Sequence, residues 1–153
     1  MNKLQKFDFK FANFIVGIIV IAMMFLPVLI LKDTETSFTG FEIAFGKEFA
    51  NLGSFASGEI AFNPIVLLAF ILPLAAALIP IFTNRGYLIS TLLYIIATVL
   101  IFLIPNFTTV TITVLGNVNE VDIEWTYGIG LIVAAVLSIV GAGLGLFKLS
   151  KSN

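Results

Sequence analysis

The chain of 153 residues has no cysteine and no histidine, and both absences remove chemistry. Without cysteine there is no disulfide, no acylated-cysteine anchor, no thiolate metal site and no thiol nucleophile. Without histidine, imidazole acid–base catalysis and imidazole ligation of haem cannot come from this chain. Charge is scarce as well: Asp, Glu, Lys and Arg are 11% of the residues, against about a quarter in soluble domains. Its placement matters more than its amount. Residues 13–31, 61–82, 87–104 and 127–147 contain no Asp, Glu, Lys or Arg at all. Charge inside a membrane is the usual mark of an ion path, a proton relay or a substrate counter-ion, so these stretches lack the equipment for most intramembrane chemistry.

What is present is apolar surface. Hydrophobic residues make up 59% and the mean hydropathy is +1.12. Each of the four stretches is near the ~20 residues that span a hydrocarbon core of about 30 Å. The eight basic and nine acidic residues cannot form a water-facing shell around four such helices. The expectation is therefore an all-α transmembrane bundle, with four antiparallel transmembrane helices and a small extracellular β-sheet formed by the two outer loops. It is a single integral membrane domain over 1–153. The layout is a juxtamembrane segment 1–12, span 13–31, outer loop 32–60, span 61–82, turn 83–86, span 87–104, outer loop 105–126, span 127–147 and tail 148–153. The first span reads as an uncleaved signal anchor, because no small-x-small cleavage site follows it in Lys32-Asp33-Thr34-Glu35.

Sorting charge by loop divides it cleanly. The two ends and the 83–86 turn hold Lys3, Lys6, Lys10, Arg85, Lys148 and Lys151 against Asp8, six bases to one acid, or +5. The other loops hold Lys32 and Lys47 against Asp33, Glu35, Glu42, Glu48, Glu59, Glu120, Asp122 and Glu124, two bases to eight acids, or −6. Basic loops stay cytoplasmic, so the expected localisation is the cell membrane, multi-pass, with both termini inside. Leu4, Phe7 and Phe11 recur at helical spacing among Lys3, Lys6 and Lys10, which suits either a helix lying on the inner surface or a plain basic tail. Trp125 and Tyr127 fall at the outer interface and Tyr87 at the inner one, as interfacial aromatic anchors.

The outer loops carry strand patterns. Val110, Ile112 and Val114 alternate with Thr109, Thr111 and Thr113; after a turn over 116–119, Val121, Ile123 and Trp125 alternate with Asp122 and Glu124. This reads as a hairpin with one apolar and one polar face. Phe41, Ile43 and Phe45 around Glu42 read as a further strand, and 47–60 as a short amphipathic segment. An isolated hairpin is marginal, so one sheet of three or more strands is expected, with Glu42, Thr109, Thr111, Thr113, Asp122 and Glu124 facing water. The Thr-rich strand 108–115 is a candidate edge for pairing with another chain.

Three features inside the spans invite a functional reading, each beside a structural one. Gly130, Ala134, Ser138 and Ala142 form an i, i+4 row, with Gly141 and Gly145 alongside. Such a face serves a partner's helix or a copy of the chain, or packs within the chain. Pro73 kinks the second span and frees a carbonyl, which lines a site or is re-satisfied by neighbours. Thr91, Tyr94 and Thr98 share a face of the third span; such hydroxyls line a polar path or bond to carbonyls a turn earlier.

The architecture resembles that of claudin-like tetraspan proteins, which seat a small sheet over four helices with both termini inside. Their Trp…Gly-Leu-Trp…Cys…Cys signature is missing, since Trp125 is the sole tryptophan and cysteine is absent. The resemblance therefore carries no residue roles. A glutamate-dependent multidrug antiporter is excluded by the lack of any glutamate in the spans. The expected function is that of a non-enzymatic structural or accessory subunit acting by contact, with an oligomeric pore as the alternative. Expected partners are the lipid bilayer and a membrane protein or a second copy; no nucleic acid, metal or cofactor is expected.

Overall fold

Pro27 decides where the first helix stops. It has no amide to donate and disfavours helical geometry at Leu26. Helix α1 (Phe9–Ala22) therefore runs out through one 3-10 turn, Met23–Phe25, and the chain extends as β1 (Pro27–Leu31). Branched Val28 and Ile30 suit that extended course. The computed structural model describes residues 9–83 and 86–151. The order continues β2 (Ser37–Thr39), α2 (Gly40–Phe45), β3 (Lys47–Asn51), β4 (Ala56–Ile60), α3 (Pro64–Phe82), α4 (Tyr87–Phe102) and α5 (Ile104–Phe107). It closes with β5 (Val110–Val114), β6 (Asn117–Val121), β7 (Trp125–Tyr127) and α6 (Ile129–Ser150).

The fold is thus α+β: among the described residues there are six α-helices and two sheets of seven strands. This corrects the expected all-α bundle of four transmembrane helices with one small sheet. Among the described residues, only α3 and α6 are long and apolar enough to cross a membrane; α1 with its 3-10 turn, and α4, are apolar but shorter. The tetraspan description is corrected with it, and the reason is local. The apolar run 13–31 is divided by Pro27 between helix and strand, and the run 87–104 is ended by the turn at Leu103. Residues 1–8 of the juxtamembrane segment, Asn84 and Arg85 of the 83–86 turn, and residues 152–153 lie outside the described residues.

Helices α1 and α4 each pack against both α3 and α6. Both sheets gather at the end where α1 and α4 finish and α3 and α6 begin. At the opposite end the Phe9 and Phe147 rings meet at 5.6 Å. The described bases Lys10, Lys148 and Lys151 lie at that end, and every acid from Asp33 to Glu124 lies at the sheet end. Asn63 starts α3: its Oδ1 accepts from the Ile65 amide at 3.0 Å and the Val66 amide at 3.4 Å, while its Nδ2 donates to the Phe107 carbonyl. One side chain thereby caps a helix and ties it to α5.

The first sheet has order β2-β1-β7 and the second β3-β4-β5-β6, with every pair antiparallel. Buried Phe38 joins them, its ring edge-on to Phe49 at 5.8 Å and to Trp125 at 5.9 Å. Below it the core continues through Leu29, Ile43, Ile60, Ile104, Val110 and Leu131 to Phe70.

Three loop expectations change. Phe41, Ile43 and Phe45 belong to a helix because Thr39 and Glu42 form a capping box. The Glu42 amide donates to Thr39 Oγ1 at 3.2 Å, and the Thr39 amide donates to Glu42 Oε2 at 2.9 Å. Residues 47–60 form a β-hairpin in place of the expected short amphipathic segment. Its turn is held by the Gly53 amide donating to Asn51 Oδ1 at 2.8 Å, with Gly53 at φ +66. The second hairpin turns at Leu115 and Gly116, and β6 begins at Asn117, so the turn lies earlier than 116–119. Strand β5 is internal to its sheet, and the edges are β3 and β6.

Candidate functional site

Two groups of residues singled out by the sequence meet in the helical half. Gly130, Ala134, Ser138, Gly141, Ala142 and Gly145 are all buried on α6. A Cβ at Gly141 would lie 2.6 Å from the Tyr94 ring, and one at Gly145 would lie 2.2 Å from Thr91 Oγ1. Gly130 faces the Met23 and Pro27 carbonyls in the same way. Gly141 and Gly145 of α6 are therefore met by the hydroxyl row of α4, and Gly130 by the segment that links α1 to β1.

The hydroxyls are used internally. Thr91 donates to the Tyr87 carbonyl, Thr98 to the Tyr94 carbonyl and Ser138 to the Ala134 carbonyl, each at 2.8 Å. Tyr94 reaches across to the Asn13 carbonyl at 3.1 Å. Asn13 itself escaped the sequence reading, although it is the only amide side chain within the first apolar run. It is buried, donates through Nδ2 to Ser90 Oγ at 3.2 Å, and leaves Oδ1 without a partner. Pro73 is buried, and Gly17 of α1 sits against it: a Cβ there would come within 2.5 Å of Ala77 Cβ and 2.9 Å of the Pro73 carbonyl oxygen. Pro73 thus lies where α1 approaches α3 closely.

Of the interfacial anchors, Tyr87 is buried at the start of α4, whereas Trp125 and Tyr127 lie in β7, with Tyr127 6.3 Å from the Phe102 ring. Of the outer polar residues, Glu42 is ion-paired with Lys47 and Glu124 with Lys32. Burial alone raises the Glu42 carboxyl, but Lys47 and the Thr39 amide outweigh it and hold the group below its ordinary value of 4.5. Asp122 lines an open groove of about 300 Å³ with Pro105, Asn106, Thr108, Ile123 and Trp125. Among the described residues no three acids converge as metal ligands.

The four-stranded sheet is arranged differently. Its cross-strand rows give one polar face, carrying Glu48, Glu59, Thr111 and Glu120 in one row and Ser57 and Thr113 in the next. Thr109 lies just before β5, its carbonyl accepting from the Ala61 amide at 3.1 Å. The other face is apolar along β4 and β5, with Lys47 of β3 and Asn117 and Asn119 of β6 in the same rows, and the other described residues cover only its base. Ile60 and Val110 are buried, Ile112 is half-buried, and Val114 is exposed. Phe49, Ala50, Leu52, Ala56, Gly58 and Ile112 border a shallow recess of about 100 Å³ there.

Beyond the recess the two hairpin tips stand together, joined by the Leu115 amide donating to the Phe55 carbonyl at 2.9 Å. They present Leu52, Phe55 and Leu115 at 71%, 69% and 71% exposure. No charged residue occurs in 49–58 or 106–119. Leu115 sits at φ +50, a left-handed conformation that suits Asn or Gly and strains a branched apolar side chain.

No protein-family model matches the chain, no curated protein is significantly similar to it, and no solved structure matches it.

Proposed function

We propose that the chain is a membrane-embedded accessory protein that acts by contact, docking a protein partner on the uncovered apolar face of its four-stranded sheet. Helices α3 and α6 anchor it, with the shorter α1 and α4 beside them, and the basic end lies in the cytoplasm, so that the acidic sheet end projects outward. One observation carries the reading. An apolar sheet face continues past its buried base to a charge-free tip where Leu115 occupies a strained turn position, with the Leu52, Phe55 and Leu115 side chains left exposed. Local strain beneath an exposed apolar side chain points to a use outside the fold.

The helical interior supports the same division of labour. Its small-residue face is filled from within, and its hydroxyls are spent on carbonyls of the same chain, which leaves little to line a pore. The test is a photo-crosslinking residue at Phe55 or Leu115 in the full chain, in its native membrane. A discrete product is expected: twice the chain mass for a second copy, another defined mass for a different protein. Crosslinks to lipid alone, or none at either position, would sink the proposal.

A further inference from the structure

Helix α2 wears its faces the wrong way round for water. Gly40, Ile43 and Ala44 point inward, with Gly40 pressed so close to Phe70 and Met24 that a Cβ would come within 2.9 Å of the Phe70 ring. The outward positions, one helical turn apart, are Phe41 and Phe45, both exposed. A helix on a soluble surface turns its polar residues out, whereas here the polar Glu42 is tucked into the capping box and neutralised by Lys47.

The two rings are the middle rungs of a longer ladder. Phe25 stacks on Phe41 at 5.8 Å, Phe41 meets Phe45 at 4.6 Å, and Phe45 meets Phe62 at 6.5 Å. Phe25 lies in the 3-10 turn that ends α1, and Phe62 lies just before the Asn63 cap of α3. The ladder therefore runs as a band across the sheet end of two helices whose own exposed positions below it are uniformly apolar: Ile15, Ile18 and Ile19 on α1, and Ile65, Leu68 and Ile71 on α3.

We infer that this ladder is a lipid-docking surface, with α2 lying in the outer interface of the bilayer and the Phe25, Phe41, Phe45 and Phe62 rings inserted at the boundary between headgroups and acyl chains. The occupant is phospholipid for two reasons on the molecule itself. The band is continuous with the apolar flanks of α1 and α3, so a bilayer that covers Leu68 reaches Phe62 and Phe45 without a break. The ion pair between Glu42 and Lys47 leaves the band without net charge, which suits zwitterionic headgroups and requires no anionic lipid. The inference rests on the membrane-embedded part of the proposed function, and on no partner at the sheet.

The test uses the full chain carrying Trp125→Phe in phosphatidylcholine vesicles, with single tryptophans introduced as Phe41→Trp, Phe45→Trp, Leu68→Trp or Leu115→Trp. Lipids brominated near the headgroup or at mid-chain report depth. Interfacial helices lie about 5–10 Å deep, so Phe41→Trp and Phe45→Trp are expected to be quenched about twofold more by the shallow bromines than by the deep ones. Leu68→Trp is expected to show the reverse, and Leu115→Trp to respond to aqueous acrylamide alone. Acrylamide quenching at both Phe41→Trp and Phe45→Trp without bromine quenching, while Leu68→Trp remains quenched, overturns the inference and leaves the membrane reading standing. Protection of both from acrylamide and bromine alike assigns the ladder to a protein contact and overturns it too. Absence of bromine quenching at Leu68→Trp removes both readings together.

Discussion

Helix α6 and the four-stranded sheet handle apolar surface in opposite ways. Along α6, Gly130, Gly141 and Gly145 are each met by a specific neighbour, so that Tyr94 and Thr91 sit where side chains of α6 would otherwise be. Along the sheet the apolar face is matched only at Ile60 and Val110, and its outer half is left open. In the first region a residue is small because something else occupies the space. In the second, large residues stand mostly exposed at the hairpin tips. Substitutions should therefore have opposite signs in the two regions, with stability lost at one and function lost at the other.

The largest effect tests the filled region. Gly17→Leu drives a side chain into Ala77 and the Pro73 carbonyl oxygen, and backbone cannot step aside as a flexible side chain can. A loss of about 3 kcal/mol is expected from overpacking of this kind, read as a shifted unfolding midpoint in mixed micelles. A midpoint within error of the parent would mean that α1 and α3 are not closely apposed. Next comes the junction between the regions. Thr39→Ala removes half of the α2 capping box and should lower stability by about 1 kcal/mol by the same measurement. In the open region the sign reverses: Leu115→Asn relieves a left-handed leucine and should raise stability by up to about 1 kcal/mol. It should also abolish the crosslink from Phe55. A variant that keeps the crosslink breaks the comparison.

The smallest effect is a pH dependence. The folded Glu42 carboxyl titrates below its ordinary value of 4.5, so the folded state binds its proton less readily than the unfolded chain does. Its contribution is fully present above the unfolded value and disappears as pH falls through the lower folded value. Thermal melts should show this loss in the parent and a shallower one in Lys47→Met, where the main lowering partner is gone.

The sequence made some of this legible. The cores of α3, α4 and α6 follow from uninterrupted apolar runs, and β5 from the alternation of Val and Ile with Thr, whereas the strand expected over 121–125 is instead β6 at Asn117–Val121 and β7 at Trp125–Tyr127. The charge division matches the two ends of the molecule. Other elements were written locally but overlooked: Thr39 and Glu42 at capping-box spacing mark α2, and Pro27 marks the end of α1. A third group had no local signal. That β1 pairs with β7, that α6 is filled by Tyr94 and Thr91, and that the sheet's apolar face is half uncovered are consequences of which distant segments meet. Alternation shows that a strand has an apolar face; it does not show how much of that face the rest of the chain will reach. The candidate site at Leu52, Phe55 and Leu115 belongs to this last group, for its character comes from exposure.

The register of the three-stranded sheet carries a consequence for synthesis. Leu29 pairs with Tyr127, about a hundred residues downstream, and Gly128 then donates its amide to the Val28 carbonyl at 2.8 Å as α6 begins. Strand β1 thus has its β2 neighbour early but waits for its second partner until β7, about a hundred residues further on, has left the ribosome. During that interval its open edge is exposed to whatever handles the nascent chain, and the arrival of β7 is the step that fastens the end of α1 to the start of α6.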